Sequence, residues 1–350
     1  MIWLTWRQFR GSAAMMATVL AILIAVLALT GPDLASRYAT GIADCATDNT
    51  CTLFFDRFFG EHQLTFVAVT FVVLLLPALA GLFWGAPMIT RELEAGTHLM
   101  VWNQSITRGR WLAVKLGLTG LAAMAAAGLC GLTVTWWSQP LDKSALPELA
   151  QMAPLVFGAR GIAPIGYAAF ALVLGVTVGM LVRRTLPAMA LTLAVFVAVQ
   201  FAMPLLVRPH LMPPVTSTFE VSQVNMNGPN IQEHGGPVRF SVKSAVPGHA
   251  GAWVLSSDLL DPSGRTIAGN GEWLTTIPVS GTSGPCAALG GPPSVDACMV
   301  EISRLGYLQQ ATYHPLERFW PFQWIETGIH ASLTVGLTWF SFWWIRRRLS

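Results

Sequence analysis

Residues 85–115 read GAPMITRELEAGTHLMVWNQSITRGRWLAVK. An apolar run ends just before this stretch at Trp84, and another begins at Trp111. A charged interruption of this length between two runs, each long enough to cross about 30 Å of hydrocarbon, is too short for a domain. It reads as an exposed connection between two membrane spans. Working outward, apolar windows of spanning length fall near 12–30, 64–84, 111–137, 162–182, 187–207 and 325–345. Composition agrees: 53% of the 350 residues are hydrophobic, only 11% are charged, and mean hydropathy is +0.53. A water-soluble fold with so little charge would precipitate, so the chain is expected to be polytopic.

Six spans return both termini to one side. With the termini inside, the short loops and span ends hold Arg7, Arg10, Arg91, Arg108, Arg110, Lys115, Arg183, Arg184, Arg346, Arg347 and Arg348, against Glu92 and Glu94 alone. Short-loop cations set orientation, which predicts cytoplasmic termini and a cytoplasmic 85–115. Arg7 and Arg10 precede an apolar run long enough to remain as a span, so no cleaved leader is expected. Trp3, Trp6 and Arg10 stand at helical spacing and suit either an interfacial helix or a simple anchor. The preponderance of Arg over Lys, with abundant Ala, Gly and Pro, suggests a bacterial source with a GC-rich genome.

The predicted fold class is mainly α: a six-helix transmembrane bundle with a small, mostly β extracytoplasmic domain between the fifth and sixth helices. The expected division is 1–207 for the first five helices, with the connecting element at 85–110, 208–324 for the external domain, and 325–350 for the last helix and basic tail. Within the external part, Phe219–Val224, Val238–Val246, Ala252–Ser256 and Trp273–Val279 alternate like short strands, and Asp261-Pro-Ser-Gly264 reads as a turn. Cys45 and Cys51 share one external segment, and Cys286 and Cys298 the other, so two local disulfides are expected there. Zinc ligation would need a second Cys or His pair at suitable spacing, which the sequence lacks. Cys130 stands alone in the third span.

Small residues recur at every fourth position: Ala13 to Ala25 in the first span, Ala123, Ala127 and Gly131 in the third, Ala171, Gly175 and Gly179 in the fourth, and Ala190 to Ala202 in the fifth. These stripes let helices approach closely, inside one bundle or between two copies. Glu61 and His62 flank the second span, and Glu326 and His330 share one face at the outer end of the last, within reach of interfacial water. Ionisable groups at membrane depth are functional candidates, here for locking a gate. Thr65, Thr70, Thr192 and Gln200 are polar positions that would line a path, although most such threonines back-bond to their own helix.

No Gly-x-x-x-x-Gly-Lys-Ser/Thr loop, no His-Glu-x-x-His pair and no Gly-x-Ser-x-Gly elbow occurs in the sequence. A stand-alone enzyme is poorly supported, no metal or other cofactor is expected in this chain, and no nucleic-acid partner is indicated.

The stretch Gly85-Ala-Pro87, Arg91-Glu92-Leu-Glu94-Ala-Gly96-Thr97, Trp102-Asn-Gln104-Ser-Ile-Thr107-Arg108, Trp111 and Lys115 resembles the bacterial branch of the type-2 ABC transporter permeases. Tyr313-His-Pro315 with Arg318 to Gln323 and Glu326, and the opening Trp3-Leu-Thr-Trp6-Arg7-Gln8, are similar to the same branch. Ser105 replaces a proline common in the wider family. The resemblance implies a permease that dimerises in the bacterial plasma membrane and sits on a separate ATP-binding subunit, which would hold ATP and Mg. It further implies that Arg91, Glu92, Glu94, Gly96 and Thr97 dock into that subunit, and that an amphiphilic compound, peptide or lipid is exported. An ordinary charged loop closing a helical hairpin is the plain alternative for this stretch. For the whole chain the alternative is a membrane-anchored sensor or resistance protein whose external domain binds a peptide or antibiotic.

Overall fold

The computed structural model describes residues 2–48, 51–96, 107–230, 239–269, 273–274, 277–279, 284–286 and 295–347. The chain is mostly helical, with a small β region after residue 215, and forms two compact units. One comprises 1–144, 155–211 and 320–350, and the other 145–154 and 212–319.

In the helical unit, α1 (Ile2–Asp48) and α2 (Cys51–Leu79) come first. A π-helical turn at Ala80–Gly85 leads without a break into α3 (Ala86–Glu94). Then follow α4 (Arg108–Trp137), α5 (Gln139–Ser144), α6 (Pro154–Phe157), α7 (Ala163–Val182), α8 (Thr185–Ala202) and, after the β region, α10 (Phe319–Arg347). Among the described residues, five helical stretches are long and apolar enough to cross a membrane: Phe9–Ala46, Leu53–Glu94, Arg108–Trp137, Ala163–Val182 and Thr185–His210. They correspond to the first five predicted windows. Helix α10 contains the sixth window and runs for 29 residues, but with Glu326, His330 and several tryptophans it is less apolar than those five.

The first segment predicted to lie outside, about 31–62, is helical in its described residues. Helix α1 continues through Pro32 to Asp48, 47 residues in all, which at 1.5 Å per residue is about 70 Å. Loss of apolar character after residue 30 marks a change of surroundings and not an end of helix. Tyr38 packs its ring on Phe54, Phe55 and Phe58 of α2, with centroids 5.6–6.4 Å apart. The Cys45–Cys51 disulfide closes this helical hairpin at its tip.

Helix α7 is the centre of the unit, with 78% of its apolar stretch buried. Its stripe of small residues lies against the π turn and α3. A Cβ on Gly175 would overlap the Gly81 carbonyl oxygen, and one on Gly81 would sit 2.6 Å from that of Ala171. No side chain fits at either position, so both must be glycine for the backbones to meet this closely. The α4 stripe is also internal, since Ala123 and Ala127 pack with Phe9, Trp84, Ala168 and Leu172. By contrast Ala17, Ala21 and Ala25 of α1, and Ala190, Ala194 and Ala198 of α8, are exposed.

The second unit holds two antiparallel sheets. Strands β1 (Val215–Glu220), β4 (Trp253–Leu260), β5 (Thr266–Ala268) and β7 (Leu308–His314) form one in the order β1-β7-β4-β5. Strands β2 (Met226–Asn230), β3 (Arg239–Val242) and β6 (Trp273–Leu274) form the other. Helix α9 (Val295–Arg304) lies between β6 and β7 in the chain. The core gathers Met226, Phe240, Leu259, Met299 and Ile302 around the buried Cys286–Cys298 disulfide. The Asp261–Gly264 turn forms as the sequence indicates: Asp261 Oδ1 accepts from the backbone N–H groups of Ser263 and Arg265, both at 2.9 Å. These bonds, together with the Ser263 hydroxyl, hold the Asp261 carboxyl at about 2, below its ordinary value.

Candidate functional site

Helix α3 is built by its own sequence. Pro87 stands where the π turn passes into α3, and Gly96 stops the helix in a left-handed conformation (φ 65°) that suits glycine. Ile89, buried to 1%, and Ala86, buried completely, form the inner face. Thr97 and the Trp102–Ile106 part of the motif lie outside the described residues. On the far side, the Thr107 hydroxyl accepts from Arg110 N at 3.3 Å and caps α4.

The two acids of the motif are held by this chain. The Lys115 ammonium of α4 donates to Glu92 Oε1 and lies 4.8 Å from the centre of the Trp111 ring. Glu94 Oε1 accepts from Thr185 N at 2.8 Å, and its Oε2 accepts from Thr185 Oγ1 at 2.7 Å. Thr185 opens α8, so Glu94 supplies an anion and an acceptor where unpaired N–H groups and the helix dipole favour one. Thr90, one turn earlier, shares a hydroxyl–hydroxyl bond of 2.9 Å with Thr185. The α7–α8 link that precedes Thr185 is only two residues long, and Arg183 adopts φ 57° there, a conformation uncommon for a side chain other than glycine. Helix α3 is thereby fastened to α4 on one side and to the sharp α7–α8 turn on the other. Arg91 remains exposed, and no ion pair from it occurs among the described residues.

A second polar cluster lies where the N-terminal turns of α7 and α10 meet the end of the Thr185–His210 stretch. Arg208 donates to Glu326 twice, from Nε to Oε2 at 2.8 Å and from Nη2 to Oε1 at 3.0 Å, a fork that matches the carboxylate. The Tyr167 hydroxyl donates to Glu326 Oε1. The guanidinium also lies over the Phe157 ring, 4.1 Å from its centre. Gln323 Oε1 accepts from the N–H groups of Ile162 and Ala163 at 3.0 and 2.8 Å, capping α7, while its Nε2 donates to Phe157 O at 3.1 Å. His330 stacks edge-on with Tyr167 at 4.7 Å. Its Nδ1 contacts the Glu326 carbonyl at 2.9 Å, and its Nε2 has no hydrogen-bond partner among the described residues.

Of the predicted path residues, the structure thus brings Glu326 and His330 together. Both are completely buried, which corrects the expectation that interfacial water reaches them: Arg208 and Tyr167 close over the carboxylate. Thr70 Oγ1 and Gln200 Nε2 are buried polar atoms without a hydrogen-bond partner among the described residues. Thr192 bonds back to Ala188 O at 2.7 Å. Thr65 and Glu61 are exposed, and His62 Nδ1 contacts Phe58 O at 2.9 Å. No contact among the described residues joins Glu61 or His62 to the Glu326 cluster.

Arg208, Tyr167, Lys115 and Thr185 were not singled out as site residues by the sequence, and neither were Asp142 and Arg160. Arg160 is fully buried, 3.7 Å from Asp142 Oδ1 and 4.9 Å from the centre of the Phe66 ring. Ser138 donates to the other Asp142 oxygen at 2.7 Å. Burial pushes the Asp142 carboxyl above the usual carboxylate range, with the Arg160 charge opposing it. Nothing in the sequence pairs these two residues, which stand 18 positions apart between the third and fourth predicted spans.

The ABC-2 membrane transporter related family model matches residues 17–208. That match runs from within α1 to Arg208 and takes in α3 and both of its anchoring partners. No curated protein and no solved structure matches the chain. The matched residues are more than half of the chain and contain all or most of each of the five membrane-capable helices, so the chain belongs to the ABC-2 membrane transporter related family and is a multi-pass ABC-2 permease.

Proposed function

We propose that this chain is the membrane subunit of an ATP-driven exporter. A separate ATP-binding subunit docks on the end of the bundle where α3 stops, and a second copy of the chain completes the pathway. Both termini lie in the cytoplasm of a bacterial cell, α10 is the sixth span, and the β-rich unit projects outward. The cargo is an amphiphilic compound, peptide or lipid, and ATP and Mg reside on the partner.

The observation that carries this reading is the double fastening of α3. Through Glu92 to Lys115 and Glu94 to Thr185, force applied at its exposed end reaches α4 and the two-residue turn into the central helix together. A loop that merely closed a hairpin would need neither connection. The acids then have a different task from direct docking: they brace the element, while its exposed end at Ala95 meets the partner. The outward-facing small residues of α1 and α8 leave surfaces on which a second copy can pack.

The test replaces both acids with alanine in the full chain, in native membranes. The double variant is expected to lose copurification of the ATP-binding subunit or to leave ATP turnover uncoupled from export. An intact complex with normal coupling would overturn the proposal.

A further inference from the structure

Beside α3, a cleft of about 320 Å³ opens among α1, the π turn and α4. Phe9, Phe83, Trp84 and Met88 line its apolar part, and Arg91, Glu92 and Lys115 its polar mouth. We propose that this cleft holds one anionic phospholipid, with its phosphate at Arg91 and Lys115 and the start of an acyl chain along Phe83.

Charge is the first argument. Glu92 is matched by Lys115, so the Arg91 cation gives the mouth a net positive charge, and among the described residues it meets no carboxylate. A phosphodiester supplies the missing anion while letting Lys115 keep Glu92, since an ammonium has three donors. Position is the second. Phe83 is 57% exposed and belongs to the Leu53–Glu94 stretch that is long and apolar enough to cross a membrane, so within one chain the cleft opens on an uncovered apolar flank. Arg7 and Arg10 on α1, with Arg108 and Arg110 at the start of α4, stand at the same end of their helices. Basic pockets between helices at this level suit anionic headgroups. Phe9 is fixed edge-on to Trp84 with ring centres 4.7 Å apart, so the apolar wall is already formed. A soluble phosphate would find the same cations but would leave the aromatic wall exposed, which is why the occupant is a lipid.

The inference uses the orientation proposed above but not the ATP-binding partner. Its test therefore uses the purified full chain alone. Protein is equilibrated with equal amounts of phosphatidylglycerol and phosphatidylcholine, and retained lipid is counted by native mass spectrometry for wild type, Arg91→Gln and Arg110→Gln. Wild type is expected to retain phosphatidylglycerol preferentially, one molecule per chain. Arg91→Gln should lower that preference about fivefold, the contribution of one juxtamembrane cation. Arg110→Gln, at the same end but outside the cleft, should leave it near wild type. Arg91 is exposed, so an unchanged melting temperature in lipid-free detergent will show that its variant is folded. Equal retention of the two lipids by wild type, equal losses in the two variants, or binding of added inorganic phosphate without retained lipid would each overturn the proposal.

Discussion

Glu94 accepts both the backbone N–H and the hydroxyl of Thr185, at 2.8 and 2.7 Å. One carboxylate at the end of α3 therefore caps α8 directly after the two-residue turn from the central helix. If α3 relays the partner's motion, the bond transmits force as well as satisfying the helix terminus. Replacing Thr185 by Val removes the hydroxyl and keeps the N–H. That variant should hold the ATP-binding subunit but turn over ATP with weaker coupling to export, whereas Glu94→Ala should lose more. The check is ATP turnover with and without export in the reconstituted complex. Identical coupling in all three proteins would reduce the bond to a cap.

Lys115 is 5% exposed and paired with Glu92. Lys115→Met leaves the acid half-buried without its cation and should cost about 3 kcal/mol of stability. Adding Glu92→Gln should recover most of that loss, because the uncompensated charge is gone. Thermal unfolding of the purified chain compares the two.

The Arg208–Glu326 pair is deeper, with side chains 2% and 0% exposed. Arg208→Met should destabilise by about 3–5 kcal/mol, and the double change Arg208→Met with Glu326→Leu should return close to wild type. If the pair also locks the outer end of the pathway, the double variant will be stable yet leak or export constitutively. Unfolding curves and ATP-independent flux separate these outcomes.

The two disulfides close loops of different length, with sequence separations of 6 and 12. Loop-closure entropy gives about 2 kcal/mol for Cys45–Cys51 and about 3 kcal/mol for Cys286–Cys298. Paired Cys→Ser variants should therefore melt in that order below wild type, and neither pair should react with maleimide before reduction.

Asp261 titrates at about 2 in the folded chain against an ordinary 3.8. A depressed carboxylate stabilises the fold above its unfolded value, and the contribution disappears as pH falls through the folded one. The melting difference between wild type and Asp261→Asn should thus be constant above about pH 5 and shrink toward pH 2. A difference that grows on acidification would contradict the turn geometry.

The spans were legible because an apolar run of bilayer length with few charges has one natural solvent, the hydrocarbon of a membrane. The Asp261 turn was legible because it rests on residues next to one another. What escaped the sequence depends on distant pairing. Glu92 and Glu94 look like free surface acids until their partners, 23 and 91 residues away, are placed beside them. Arg208 reads as the first residue of an external segment, yet it is buried because Glu326 lies 118 residues further on. The helical hairpin beyond Pro32 rests on Tyr38 contacts with α2 that the local sequence does not show. Strand β7 pairs with both β1 and β4, and nothing in its own residues announces that central place. The fourth span's small-residue stripe is ambiguous in sequence between bundle and dimer, and the close backbone approach at Gly175 places it inside the bundle.

The exposed end of α3 is the surface proposed to meet an ATP-binding subunit, and everything else in the transport reading depends on that contact. Ala95 is exposed there, Cys130 is buried, and the other four cysteines are in disulfides. Ala95→Cys therefore provides a single accessible thiol, and Ser263→Cys in the β-rich unit, which the proposed orientation puts outside the cell, provides a control. Treatment of membranes with a short maleimide–diazirine crosslinker, which attaches to the introduced thiol and on illumination inserts into whatever protein lies next to it, followed by mass spectrometry of the adducts, should link Ala95→Cys to a protein carrying a Gly-x-x-x-x-Gly-Lys-Ser/Thr loop and link Ser263→Cys to none. No such adduct from position 95, or the same adduct from position 263, would contradict the account.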